Sequence, residues 1–434
     1  LSGDNTYTGG TNVSAGYLQS GSSSGASPPT SGPFGTATVT VASGAVLDVN
    51  GQTVGNAINL SGTGISENGA LINSHATAAT ISGDITLAAH TSVGGAHAVT
   101  LSGAISGTGI NFTKVGASTY TLSGNNTYTG LTTISAGTLK LTGNLDSATD
   151  LVIAPSATLD LQAALTAATL DLDGTISNTA GTSSLIISGT SSLGGSITTT
   201  GTQTYSGAVT LSGGDRILQG STVNFGGTIT GTGSHDLTVT GNLDLDDAMT
   251  SVVDLSVSGT SNLGADITTT GTQTYTGVVT LSGGDRILQG STVNFGGTIT
   301  GTGSHDLTVT GNLDLDDAMT SVVDLSVSGT SNLGADITTT GTQTYKNAVT
   351  LTGDTTLATS NSNISFNSTV NSDAIGTKRD LILTLGSGSA SFTGIVGATS
   401  LADITLNSSA TFNAAVTADN LTIAVNKTVT VKDD

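Results

Sequence analysis

Asp-Leu-Asp-Asp at residues 244 to 247 places three carboxylates within four positions, and the same group returns as Asp314, Asp316 and Asp317. A hard cation such as Ca²⁺ collects about six to eight oxygen ligands, so these six aspartates are where a calcium site would be sought. The Gly-Gly-x-Gly-x-Asp nonapeptide of calcium-binding β-rolls is absent, which makes solvated surface acid the plainer reading. Asp171 and Asp173, like Asp244 and Asp246, lie two apart and share one face of a strand. That spacing would allow the carboxylate pair of a glycan-cleaving enzyme. Two observations oppose it: the acids of one copy recur unchanged in the next, and Phe, Trp and Tyr make up only 3% of the chain, too few to line a sugar cleft.

Other chemistries find less support. No Gly-x-Ser-x-Gly elbow, His-Glu-x-x-His or P-loop is present. His235 and His305 each precede an aspartate, but neither has a second His or a Cys beside it, and His75, His90 and His97 are isolated as well, so no transition-metal set is expected. Asp215-Arg216 and Asp285-Arg286 read as polar turns, because adjacent strand residues face opposite ways. Tyr205, Tyr275 and Tyr345 recur at 70 residues and, at three coils per block, would align about 14 Å apart as a row able to contact a partner or a sugar. The competing reading is a tyrosine packed at a corner. We read the chain as non-enzymatic, with no cofactor expected other than the calcium considered above.

The elements carrying these residues are repeated. Residues 201–270 return as 271–340 with 68 of 70 positions identical, the exceptions being Ser206 against Thr276 and Ala208 against Val278; a third copy starts at Gly341 and fades. A single active site has no use for an intact duplicate, whereas a chain that lengthens by stacking units accepts one freely. Inside the block, Ala208–Gly213, Asp236–Gly241 and Asp254–Gly259 alternate apolar and hydroxyl residues and close on Gly, the period of a half-buried strand. Such closing glycines recur from Gly62 to Gly353, mostly 18 to 28 residues apart. One coil of a parallel β-solenoid has that length. The expectation is therefore an all-β parallel β-helix of roughly 20 coils, about 22 residues each, with the duplicated copies superposing after about three coils. Period-two alternation puts Leu237, Val239, Leu243, Leu245, Leu255 and Val257 inside and Thr238, Asp244 and Asp246 outside.

Composition agrees. The 434 residues include 61 Gly, 4 Pro and no Cys or Trp, with mean hydropathy +0.17 and 35% hydrophobic residues, too apolar for a disordered chain. No apolar run is long enough for a membrane-spanning helix. No basic, apolar leader opens the chain at Leu1, so it reads as an internal or processed piece of something longer. A net charge of −21 argues against nucleic acid as a partner. Of the 30 acids only Glu67 is a glutamate, and short aspartates suit turns and sheet surfaces.

Leu1–Gln19 and Leu122–Lys140 agree at 13 of 19 positions, with Asn-Thr-Tyr-Thr-Gly at residues 5–9 and 126–130. Both segments, with the lead-in Lys114–Gly124, resemble the autotransporter-associated β-strand repeat of bacterial surface proteins. Gly201–Tyr205, Gly271–Tyr275 and Gly341–Tyr345, each followed by an apolar strand, are similar to repeats of filamentous-haemagglutinin-like adhesins. The resemblance implies a right-handed parallel β-helix, secreted and displayed on a Gram-negative cell surface. The family's outer-membrane β-barrel, signal peptide and secretion domain are not in this sequence.

The layout expected is a solenoid over 1–143 bearing the two autotransporter-type repeats, connecting coils over 144–200, the copies 201–270 and 271–340, and a degenerate third copy with further coils over 341–434. The function expected is an adhesin or passenger shaft whose partner is a host or neighbouring-cell ligand, or copies of itself, with attachment to the outer membrane through other parts of the parent chain. The alternatives are a self-assembling surface-layer or matrix subunit, bridged by Ca²⁺ and glycosylated at Asn-x-Ser/Thr sites, and a glycan-active β-helix.

Overall fold

The computed structural model describes residues 1–25, 27–231, 234–301 and 305–432. They form parallel β-solenoid coils, about 19 turns in all, with no α-helix among the described residues and one 3₁₀ turn at Ile65–Glu67. The chain divides into two compact units, Leu1–Ser221 and Thr222–Asp434.

In the second unit every coil crosses three strand faces. The first face stacks Leu237, Leu255, Gln273, Val293, Leu313, Ser331 and Val349 in parallel register. The second stacks Leu243, Ser261, Val279, Ile299, Met319, Ile337 and Leu357. On the third lie Met249, Ile267, Leu288, Val309, Val327, Tyr345, Phe366, Phe392 and Phe412. These residues point inward and are buried, as strand alternation requires. The six leucines and valines expected inside at 237–257 are buried, Thr238 and Asp244 are half-buried, and Asp246 is exposed.

This register corrects one expectation. Leu255 lies on the first face, but its copy Leu325 pairs with Gln343 on the third; Leu243 lies on the second, and Leu313 on the first. The copies therefore do not superpose after a whole number of coils. From Leu237 to Leu307 the chain visits Leu243, Met249, Leu255, Ser261, Ile267, Gln273, Val279, Arg286, Val293 and Ile299, which makes eleven steps on a three-faced coil, or three and two-thirds turns. The cause is coil length: successive first-face partners lie 18 apart from Leu237 to Gln273 (237 to 255, 255 to 273) but 20 apart from Gln273 to Leu313 (273 to 293, 293 to 313). Seventy residues are not a multiple of any such coil.

The first unit is built alike. One column runs Val99, Tyr120, Leu139, Leu159, Ile176 and Ile197. Another runs Val93, Lys114, Ile134, Ile153, Leu172 and Leu193, placing a lysine at a core position. At the corners the closing glycines stack: a Cβ on Gly103 would sit 2.2 Å from the Gly83 carbonyl oxygen, and one on Gly124 2.2 Å from that of Gly103.

Between coils, aspartate carboxylates brace the corners. Asp285 accepts the Asp306 N–H and Asp306 the Asp324 N–H, both at 3.0 Å, and Asp324 accepts the Thr342 N–H. Asp354, Asp380 and Asp403 repeat the pattern, with Asp354 accepting from Asp380 and Asp380 from Asp403 at 3.0 Å. A carboxylate one methylene from the backbone reaches the next coil's amide, which accounts for the preference for Asp over Glu. Asn363 plays the same part toward Ser389 at 2.9 Å. Asp306→Asn, which keeps the acceptor, is accordingly expected to leave stability nearly unchanged, whereas Asp306→Ala should cost about 1.5–3 kcal/mol in denaturant titrations.

Candidate functional site

The three tyrosines expected as a partner-binding row are inside the protein. Tyr205, Tyr275 and Tyr345 are fully buried, and each hydroxyl donates to the glutamine two residues before it: Tyr205 to Gln203 and Tyr275 to Gln273 at 3.0 Å, Tyr345 to Gln343 at 3.1 Å. Each glutamine is also buried and passes its amide proton to the following coil, Gln203 to the Gln219 carbonyl (2.7 Å), Gln273 to that of Gln289 (2.8 Å) and Gln343 to that of Ala358 (3.0 Å). A phenol held this way presents no surface to a ligand, so the row is corrected to a repeated core brace. Nor do the tyrosines line up: Tyr275 stacks on Phe295 at 5.4 Å on the first face, Tyr345 on Phe366 at 5.2 Å on the third. Strand alternation alone cannot tell an inward tyrosine from an outward one unless the phase is tied to a neighbouring Leu or Val.

The aspartate groups are outside. Asp244 accepts the Asn262 side-chain amide at 2.7 Å in a shallow groove flanked by Asn242, Thr260 and Thr280, and Ser282 donates to Asn262 at 2.7 Å. Asp246 and Asp247 are exposed, as are Asp316 and Asp317. Asp247 and Asp317 accept the next residue's N–H, from Ala248 and Ala318, at 2.7 Å. Partial burial raises the Asp314 carboxyl above its ordinary value; Asp316 adds to the rise and the Asn332 amide opposes it. Among the described residues no three or more His, Cys, Asp or Glu are gathered as a metal-binding group. Asp244, Asp247, Asp314 and Asp317 are engaged with their own turns or with a neighbouring amide, and the arrangement is a polar ladder on a sheet face. Adding Ca²⁺ after chelator treatment is thus expected to leave the melting temperature unchanged, since a ligand stabilises only by binding the folded state.

The buried cations were not read from the sequence as core residues. Lys114 is fully buried, and its ammonium donates to the carbonyls of Val115 (2.9 Å), Gly116 (2.7 Å) and Ala136 (3.1 Å), 5.5 Å from the centre of the Tyr120 ring. Burial pulls its pKa from 10.5 down to about 8. The signal was available, because Lys114 shares the phase of Phe112 in a strand whose alternate residues point inward. Arg216 and Arg286 likewise turn in at strand starts. Arg216 donates to the carbonyls of Leu193 (2.9 Å), Asp215 (2.6 Å) and Ser212; Arg286 donates to those of Leu263 (3.0 Å) and Ser282 (2.8 Å) and reaches Asp266 at 3.3 Å. They cap the carbonyls left over at a turn.

Lys114 carries a pH prediction. Between about pH 8 and 10.5 the unfolded chain still holds the proton that the folded one has released, so this group's contribution is complete above 10.5 and is lost as pH falls through 8. Wild type minus Lys114→Met stability should rise across that window, at no more than about 1.4 kcal/mol per pH unit.

The two Asn-Thr-Tyr-Thr-Gly segments also share a geometry. The Asn5 N–H donates to the Gly32 carbonyl and that of Asn126 to Asn144, each in a later coil, at 3.1 Å. Tyr7 bonds Thr11 at 2.6 Å and Tyr128 bonds Thr132 at 2.8 Å. The Asn126 side chain bonds backbone: it accepts from the Ile105 N–H at 3.1 Å and donates to the Asn144 carbonyl at 2.8 Å.

A parallel β-solenoid whose coils are closed by such turns is a repeat protein by architecture. Residues 1–19 and 112–141 match the family model described as Passenger-associated-transport-repeat, so these two segments of the β-solenoid carry the repeat found in autotransporter passengers. No curated protein and no solved structure matches it. Among the described residues no helix is long and apolar enough to cross a membrane, which says nothing of a β-barrel.

Proposed function

We propose that this chain is a non-enzymatic, surface-displayed shaft that mediates attachment of a bacterial cell to a host or neighbouring-cell ligand, with the duplicated block serving as spacer. The observation that carries this reading is the block itself. Its two copies bury the same residues in the same pattern, Arg216–Phe225 like Arg286–Phe295 and Leu237–Leu245 like Leu307–Leu315, and their outward residues engage one another or solvent. A segment that repeats its core and its polar ladders adds length and surface without adding chemistry.

The test is display of the chain on a non-adherent bacterium, with adhesion and cell–cell aggregation scored with and without residues 271–340. Adhesion that survives the deletion supports a spacer, and a loss in proportion to the removed copy would make the block itself the binding surface. Lattices of purified protein that dissolve in chelator would overturn the reading in favour of a surface-layer subunit.

A further inference from the structure

We infer that the 70-residue block is a phase-setting unit: each copy gained or lost turns everything beyond it by one face of the coil, a third of a turn, while every contact between neighbouring coils is kept. The inference rests on the register and does not depend on what the shaft binds.

Residues 323–340, on which the chain after Gly341 stacks, have the same sequence as 253–270. If residues 271–340 are removed, Gln343 stacks on Leu255 instead of its copy Leu325, and Thr344 on Ser256 instead of Ser326. No new pair of residue types meets. The face changes, however, because Leu325 belongs to the third face and Leu255 to the first. A block of three and two-thirds turns therefore shifts the downstream coils by about 18 Å along the axis at about 4.8 Å per coil, and also turns them. Three added copies make eleven whole turns and restore the phase.

This bears on display. The ladder of Asn242, Asp244 and Asn262 stands on the second face, and its copy Asn312, Asp314 and Asn332 on the first. Identical surface strips thus face different directions, and a change in copy number re-aims whatever the downstream coils carry. Evolution by duplication would sample orientation as well as length.

The chain has no cysteine, so pairs of spin labels can be introduced in the full chain. Thr250→Cys on the third face is paired in turn with Asn371→Cys (first face), Ile382→Cys (second) or Ser391→Cys (third). In the parent, Ser391 should be the nearest of the three to Thr250. With residues 271–340 deleted, Ile382 should become the nearest, and all three distances should fall. With one copy added, Asn371 should become the nearest, which keeps the inference open to test if the deletion folds poorly. Ser391 remaining nearest in either variant overturns the phase shift. Unfolding of both variants overturns the claim that all neighbour contacts are kept.

Discussion

Above pH 10 the protein is expected to unfold in one steep alkaline transition, with five phenolates appearing together as the β-sheet signal is lost. Five of the seven tyrosines, Tyr120, Tyr128, Tyr205, Tyr275 and Tyr345, are fully buried, whereas Tyr7 and Tyr17 are 41% and 60% exposed. Burial raises the pKa of all five well above 10, because a phenolate in the core would lose its water; at Tyr120 the charge of Asp48 adds to this. The sign follows from the direction. A raised folded-state pKa contributes stability that is complete below the unfolded value near 10 and is lost as pH climbs past it. Each phenol then contributes a slope of up to about 1.4 kcal/mol per pH unit, and five give about 7. That outweighs the single opposing Lys114 contribution, which ends near 10.5. Phenolate absorbance near 295 nm recorded beside circular dichroism checks it. Five phenols ionising gradually in a chain whose dichroism is unchanged would mean that the tyrosines are not in the core.

Gly124→Val should unfold the coils around it, at a cost above about 3 kcal/mol. A Cβ on Gly124 meets the Gly103 carbonyl oxygen at 2.2 Å, and that oxygen is backbone, held in place by the coil beneath. No side-chain rotation relieves such a contact; the coils must separate, and the inter-coil hydrogen bonds at that corner go with them. The control is Gly9→Val, where a Cβ has nothing within 4 Å and little change is expected. Hydrogen exchange should localise the damage in the first variant to the coils on either side of Gly124. Equal melting curves for the two variants would remove the corner glycines from the list of structural requirements.

Much of the architecture could be read from the chain because each strand carries its own signal. Alternation at Leu237–Leu245 and Leu255–Val257 specifies which side is buried, a closing glycine marks each corner, and the 68 identities between copies mark a stacked repeat. The two Asn-Thr-Tyr-Thr-Gly segments were legible for the same reason, since a turn is a local interaction. What the sequence determined by itself was therefore the strand, its phase, the corner and the kind of repeat. Only the tertiary structure decided how many residues close a coil, and so which face each copy occupies. A coil closes when its strand meets the one before it, and partners 18 residues apart in one place and 20 in another are set by how corners accommodate a turn. That same closure drew Tyr275 and Tyr345 into the core on different faces, and buried Lys114 over turn carbonyls supplied partly by Ala136, 22 residues later. It also gave the aspartates their role, because the amide that Asp306 braces belongs to Asp324 in the next coil, a neighbour that alternation along one strand does not specify.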